Sequence, residues 1–132
     1  MLVKQKRNWI LFLLLCAIAA HFIVPQRAVE EDFQVHLVRA GVQLENVTER
    51  ADTEALSVLL QGQTRGPFRR QFAPAQLTES TVEITGMDSR GHRHFMLDTQ
   101  TQVVYESAEQ GGWPIRNGEA LLDEVREILN EE

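Results

Sequence analysis

Cysteine is nearly missing from this chain of 132 residues: Cys16 stands alone, inside an apolar stretch. Everything after it must therefore fold without a disulfide, on core packing and helix capping. Lysine is almost as scarce. Lys4 and Lys6 are the whole complement, and Arg7 follows them. No acidic residue occurs before Glu30, so all nineteen lie from Glu30 onward, against ten arginines after the apolar stretch. The part after the apolar stretch thus carries a net charge near −9, while the whole chain carries −6. Such a domain is repelled by phosphate backbones, which argues against nucleic acid as a partner.

Catalytic signatures are missing too. There is no Gly-x-Ser-x-Gly elbow, no glycine loop placed to cradle phosphates after a strand, and no cysteine nucleophile in the acidic part. The carboxylates are many, but no spacing sets two of them in a shared cleft. The expectation is a protein that is not an enzyme and uses no cofactor.

What is present begins with the N-terminus. Lys4, Lys6 and Arg7 precede an apolar run over residues 9–24, which stops at Pro25. Glu30, Glu31 and Asp32 follow on the far side. The positive-inside rule then keeps the N-terminus in the cytoplasm and sends the rest across. Two fates are open. At about 1.5 Å per residue the run covers roughly 24 Å, short of the roughly 30 Å hydrocarbon core. Ala17-Ile18-Ala19 offers the small residues that signal peptidase needs, which suits a cleaved signal. Phe22-Ile23-Val24 continue the run past that point, and Trp9 sits at an interface position, which suits a retained anchor. Residues 1–25 are accordingly expected to form a membrane anchor or signal peptide. Residues 26–132 form one exported domain. The expected location is the cytoplasmic membrane of a bacterium, single pass, with the C-terminal domain in the periplasm; secretion after cleavage is the alternative. The expected partners are the membrane, through this helix, and an envelope protein.

Along the exported part, Val29, Phe33, Leu37, Ala40, Leu44 and Val47 recur at spacings of one helical face, which predicts a helix over 28–46. Phe33, Val35 and Leu37 also alternate, so a strand competes, and Gly41 weakens a helix. Asp52 or Thr53 caps a second, short helix bearing Leu56, Leu59 and Leu60, with Gly62 as its stop. Residues 63–75 hold Gly66, Pro67 and Pro74 and read as loop.

Strand signals come next. Residues 81–85 alternate, Asp88-Ser89-Arg90-Gly91 turns, residues 92–97 alternate again, Asp98-Thr99-Gln100-Thr101 turns, and residues 102–106 resume. Val82 and Ile84, Phe95 and Leu97, and Val103 and Tyr105 are the expected buried face. After Gly111-Gly112 and Trp113-Pro114, Asn117 opens a last helix with Leu121, Leu122, Val125, Ile128 and Leu129 as its stripe. The class is α+β: a small antiparallel three-stranded meander packed against helices, preceded by the N-terminal transmembrane or signal helix.

Residues 79–106, with Asp98 and Thr101 in the second turn, resemble the hairpin of the PepSY domain. Gln102 stands where that family has glycine. The resemblance implies an exported protein acting in inhibition or accessory binding rather than catalysis.

Two residue groups carry candidate chemistry. His92, His94 and Met96, with Asp98 after them, alternate on one strand face, and imidazole with thioether suits a soft or borderline metal such as copper. The simpler account is that Phe95 and Leu97 take the core, which leaves the other face solvated, while Asp98 serves its turn through an Asx hydrogen bond. Arg65, Arg69 and Arg70 interleave with Phe68 and Phe72. Arginine and aromatics are favoured at binding surfaces, which makes Arg65, Phe68, Arg69 and Arg70 the candidate partner-binding residues. The competing account tucks both phenylalanines into the core and pairs the arginines with carboxylates. Trp113, similarly, is either a binding tip or a core plug.

Overall fold

A computed structural model describes residues 2–23, 26–69, 77–106 and 111–130. Helix α1 (Leu2–Ile23) comes first, followed by strands β1 (Gln26–Arg27), β2 (Gln34–Ala40) and β3 (Glu45–Asn46). A single 3-10 turn leads to α2 (Thr53–Gln61), then β4 (Thr64–Arg65), β5 (Val82–Asp88), β6 (Gly91–Leu97), β7 (Gln102–Tyr105), β8 (Gly112–Pro114) and α3 (Gly118–Asn130). The mixed α+β class expected from the pattern holds. All strand pairings are antiparallel, in one sheet of order β3-β2-β5-β6-β7-β8 and a two-stranded ribbon of β1 with β4. The meander of β5, β6 and β7 is there, at the centre of a wider sheet.

The long helix expected over 28–46 is replaced by strand β2, and the reason is local. The register of β2 on β5 shifts between Val35 and Leu37, so an extra residue is accommodated there. Such a bulge puts Val35 and Val38, three apart, on the same buried face. That spacing imitates a helix. Beyond Ala40 the chain turns through Gly41 at φ 88° and Leu44 at φ 48°, conformations that no helix interior accepts.

The bulge needs partners for its backbone, and α2 supplies one. The Val35 N–H donates to Ser57 Oγ at 2.9 Å, and that hydroxyl donates to the Thr53 carbonyl at 2.7 Å. The Val38 N–H donates to Thr48 Oγ1 at 2.9 Å, and the Phe33 carbonyl accepts from Gln61 Nε2 at 2.9 Å. Helix α2 itself opens as expected, with Asp52 Oδ1 accepting from the Ala55 N–H at 3.0 Å, and it closes at Gly62.

One face of the large sheet is buried beneath α2 and α3. Leu56 and Leu60 from α2, with Leu121, Leu122 and Val125 from α3, pack on Val38, Ile84, Phe95, Leu97 and Val104 in a continuous core. Phe33 enters it from just before β2. Its ring meets Phe95 edge-on at 5.8 Å and lies where a side chain at Gly86 would be. In β7 the expected phase is reversed. Val104 pairs with Phe95 and joins the core, while Val103 and Tyr105 pair with Met96 and His94 on the opposite face. Two adjacent valines in a four-residue strand fit either phase, so alternation cannot choose between them.

Helix α1 packs differently from the others. Trp9, Ile10, Leu11, Phe12, Leu13, Leu14, Leu15 and Ile18 are each more than half exposed. Cys16 is exposed as well. Among the described residues no helix is long and apolar enough to cross a membrane.

Candidate functional site

Strand β4 ends on Arg65, and the residues after it run against β8. The Gly66 N–H donates to the Pro114 carbonyl at 2.8 Å, the Arg116 N–H donates to the Thr64 carbonyl at 2.9 Å, and Arg65 bridges Ile115. A glycine is required at 66, because a Cβ there would come within 2.9 Å of the Pro114 ring. This close approach places the Arg65 guanidinium over Trp113, with Cζ 3.8 Å from the ring centre. Arg69 reaches the same ring, at 5.2 Å. Both distances fall within the range of cation–π attraction.

Trp113 is therefore a plug and a platform at once. It is half-buried against the core on one side and carries arginine on the other. Phe68 does not tuck into the core; it is 64% exposed beside Arg69. Arg70 and Phe72 lie outside the described residues.

Arg65 is also the odd member of a group of arginines. Arg27 pairs with Glu31 at 2.8 Å, Arg90 with Glu30 at 3.1 Å, and Arg93 with Asp88 at 3.3 Å. The Arg65 Nη1 is buried and has no hydrogen-bond partner among the described residues. Burial pulls the Arg65 pKa down from its ordinary value, and the positive charges of Arg90, Arg93 and Arg69 act in the same direction against the opposing pull of Glu106. A narrow cleft of about 20 Å³ lies between Arg65, Arg90, Arg93, Glu106 and Trp113.

The second candidate group sits on the sheet face away from the helices. His92 is exposed, Met96 is half-buried, and His94 is three-quarters buried between neighbours. His94 Nδ1 lies 3.1 Å from Thr85 Oγ1, and its Nε2 lies 3.5 Å from Glu83 Oε1. Glu83 is almost wholly buried and is held by Arg39, whose Nε donates to Oε1 at 3.1 Å. Burial lowers the His94 pKa below its ordinary 6.5, although Glu83 opposes this. Asp98 does not project with the histidines. It caps its own turn, accepting from the Gln100 N–H at 2.7 Å and the Thr101 N–H at 2.6 Å. Among the described residues no three His, Cys, Asp or Glu side chains are grouped so as to hold a metal ion.

The sequence pattern marks out Arg65, Phe68 and Arg69 but does not connect them with Trp113. Nothing in the pattern joins two segments almost fifty residues apart, since the link is the packing of Gly66 on Pro114. No family model, no curated protein and no solved structure matches the chain.

Proposed function

We propose that the chain is a non-catalytic, membrane-tethered domain on the outer side of a bacterial cytoplasmic membrane, acting through binding. The observation that carries this reading is α1. Its large apolar side chains from Trp9 to Ile18 cover no part of the core, and exposing that much apolar surface to water is costly at about 25 cal/mol per Å². A bilayer removes the cost. The apolar run is short for a full hydrocarbon core, and local thinning of the bilayer makes up the difference. The positive charges hold that end in the cytoplasm, and the acidic domain follows on the other side. The binding face is the cationic and aromatic cluster of Arg65, Phe68, Arg69 and Trp113, in a domain otherwise strongly acidic. An accessory role of this kind agrees with the resemblance of residues 79–106 to a PepSY hairpin.

The test is the fate of the full chain expressed in a bacterial host. A tether predicts a membrane pellet that resists carbonate extraction, an intact Met1, and a domain open to protease only from the periplasmic side. A mature chain beginning at Ala20 or His21 and released with the periplasm overturns the tether and leaves an exported, free domain.

A further inference from the structure

The chain leaves α1 at Ile23 and enters β1 at Gln26, and Gln26 pairs directly with Arg65. Three Cα steps of about 3.8 Å cannot cover more than roughly 11 Å, and antiparallel partners add about 5 Å. Arg65 is therefore held close to the point where the helix ends, whatever path residues 24 and 25 take. The same ribbon brings Arg27, and through Arg65 it brings Trp113, Arg69 and Phe68.

We propose that this cluster is a lipid-headgroup face, in which Arg65 and Arg69 take the phosphate of anionic phospholipids at the surface that α1 enters. The proposal rests on the tether reading and gives the binding face its ligand. Three observations favour lipid over an acidic protein segment. The first is position, since the ribbon fixes the arginines at the foot of the anchor. The second is residue type. Tryptophan with one wet edge, an exposed phenylalanine and arginine are the side chains that settle at the membrane interface. The third is charge: a domain of net charge near −9 is repelled by anionic lipid, so it can approach only through a locally cationic face. Arg65 is held over Trp113 with Cζ 3.8 Å from the ring centre, and the exposed Arg69 beside the same ring supplies N–H donors for a phosphate oxygen.

The test uses the full chain reconstituted in vesicles and reads each tryptophan alone. In a Trp9→Phe background, Trp113 fluorescence is measured with headgroup spin-labelled lipid, in pure phosphatidylcholine and in phosphatidylcholine mixed with anionic phosphatidylglycerol. The expected result is quenching that is strong only in the anionic vesicles and is lost in high salt. Each arginine near an anionic surface is worth about fivefold in the docking equilibrium. Arg69→Gln, at an exposed position where folding is not at stake, should therefore lower docking by about fivefold, and Arg65→Lys should retain most of it. In the complementary Trp113→Phe background, Trp9 reports insertion through acyl-chain-labelled lipid. Trp9 quenched with Trp113 indifferent to lipid charge overturns the headgroup face and leaves the tether standing. Trp9 unquenched overturns the tether, and the headgroup face falls with it. Binding of a tetraglutamate peptide that depends on Arg69, in neutral detergent and without any effect of vesicle charge, assigns the face to a protein instead and also overturns the proposal.

Discussion

Arg93 and Asp88 form an ion pair on the covered face of the sheet, with Nε 3.3 Å from Oδ2 and both side chains at least nine-tenths buried. The carboxylate is fully used. It also accepts the backbone N–H groups of Glu30 at 3.0 Å and Arg90 at 2.9 Å, so one aspartate ties the segment after β1 to the β5–β6 hairpin.

Among the described residues, removing Asp88 leaves the buried Arg93 with only the more distant Glu106, at 3.8 Å, and the His92 carbonyl, at 3.4 Å. Asp88→Ala is expected to cost about 3–5 kcal/mol, and exchanging both residues for apolar ones of similar volume less, but still about 1–3 kcal/mol because the Glu30 and Arg90 N–H groups lose their acceptor. Chemical denaturation of the full chain in mild detergent measures the difference. Equal losses for the single and double changes would show that the pair does not act as a unit.

Gly86 leaves room for the Phe33 ring, which lies 2.5 Å from where its Cβ would stand, and for the Gln34 carbonyl, which stands closer still. Gly86→Ala should destabilise by about 1–3 kcal/mol through overpacking. Because a backbone oxygen is among the clashes, Phe33→Leu should restore only part of the loss. Full restoration would place the whole clash in the ring.

Ser57→Ala removes the acceptor of the Val35 N–H at the bulge, in a site that is buried. The expected loss is about 1–3 kcal/mol, the cost of an unsatisfied buried donor. Hydrogen exchange checks it at one amide: Val35 should lose protection more than its neighbours in β2.

The His94 pKa is lowered by burial, so the unfolded chain takes up a proton near 6.5 while the folded chain resists it until lower pH. The stability that this contributes is complete above the unfolded value. It declines as pH falls below that value toward the folded one. Unfolding midpoints followed downward from neutral pH should show this slope in the native chain and a flatter one in His94→Gln. Identical profiles would assign the slope to other groups.

Much of the architecture was legible in the sequence where local and long-range preferences agree. Asp52 caps α2 and Asp98 caps its turn through the short-range hydrogen bonds their side chains favour. Helix α3 shows its stripe plainly, with Leu121, Leu122 and Val125 inward and Glu119, Asp123, Glu124 and Glu127 outward. Legibility failed where a tertiary choice overrode a local one. The β2 bulge turned a strand pattern into a helical one, and the two-residue strands β1 and β4 find each other across almost forty residues of chain. The arginines of the candidate site could be picked out as a composition. Their stacking on Trp113 could not, because it depends on a contact between β4 and β8 that no periodicity encodes.

The hydroxyls of Ser57 and Thr48 occupy the outer margin of β2, and residues 64–66 lie along β8. Both borders of the sheet thus have their backbone groups at least partly engaged, in a protein confined by α1 to two dimensions on the proposed reading. Confinement to a surface multiplies encounters between neighbours and, with bare strand edges, would invite chain-to-chain polymerisation. A chain finished in this way can stand at high surface density and remain a set of separate molecules.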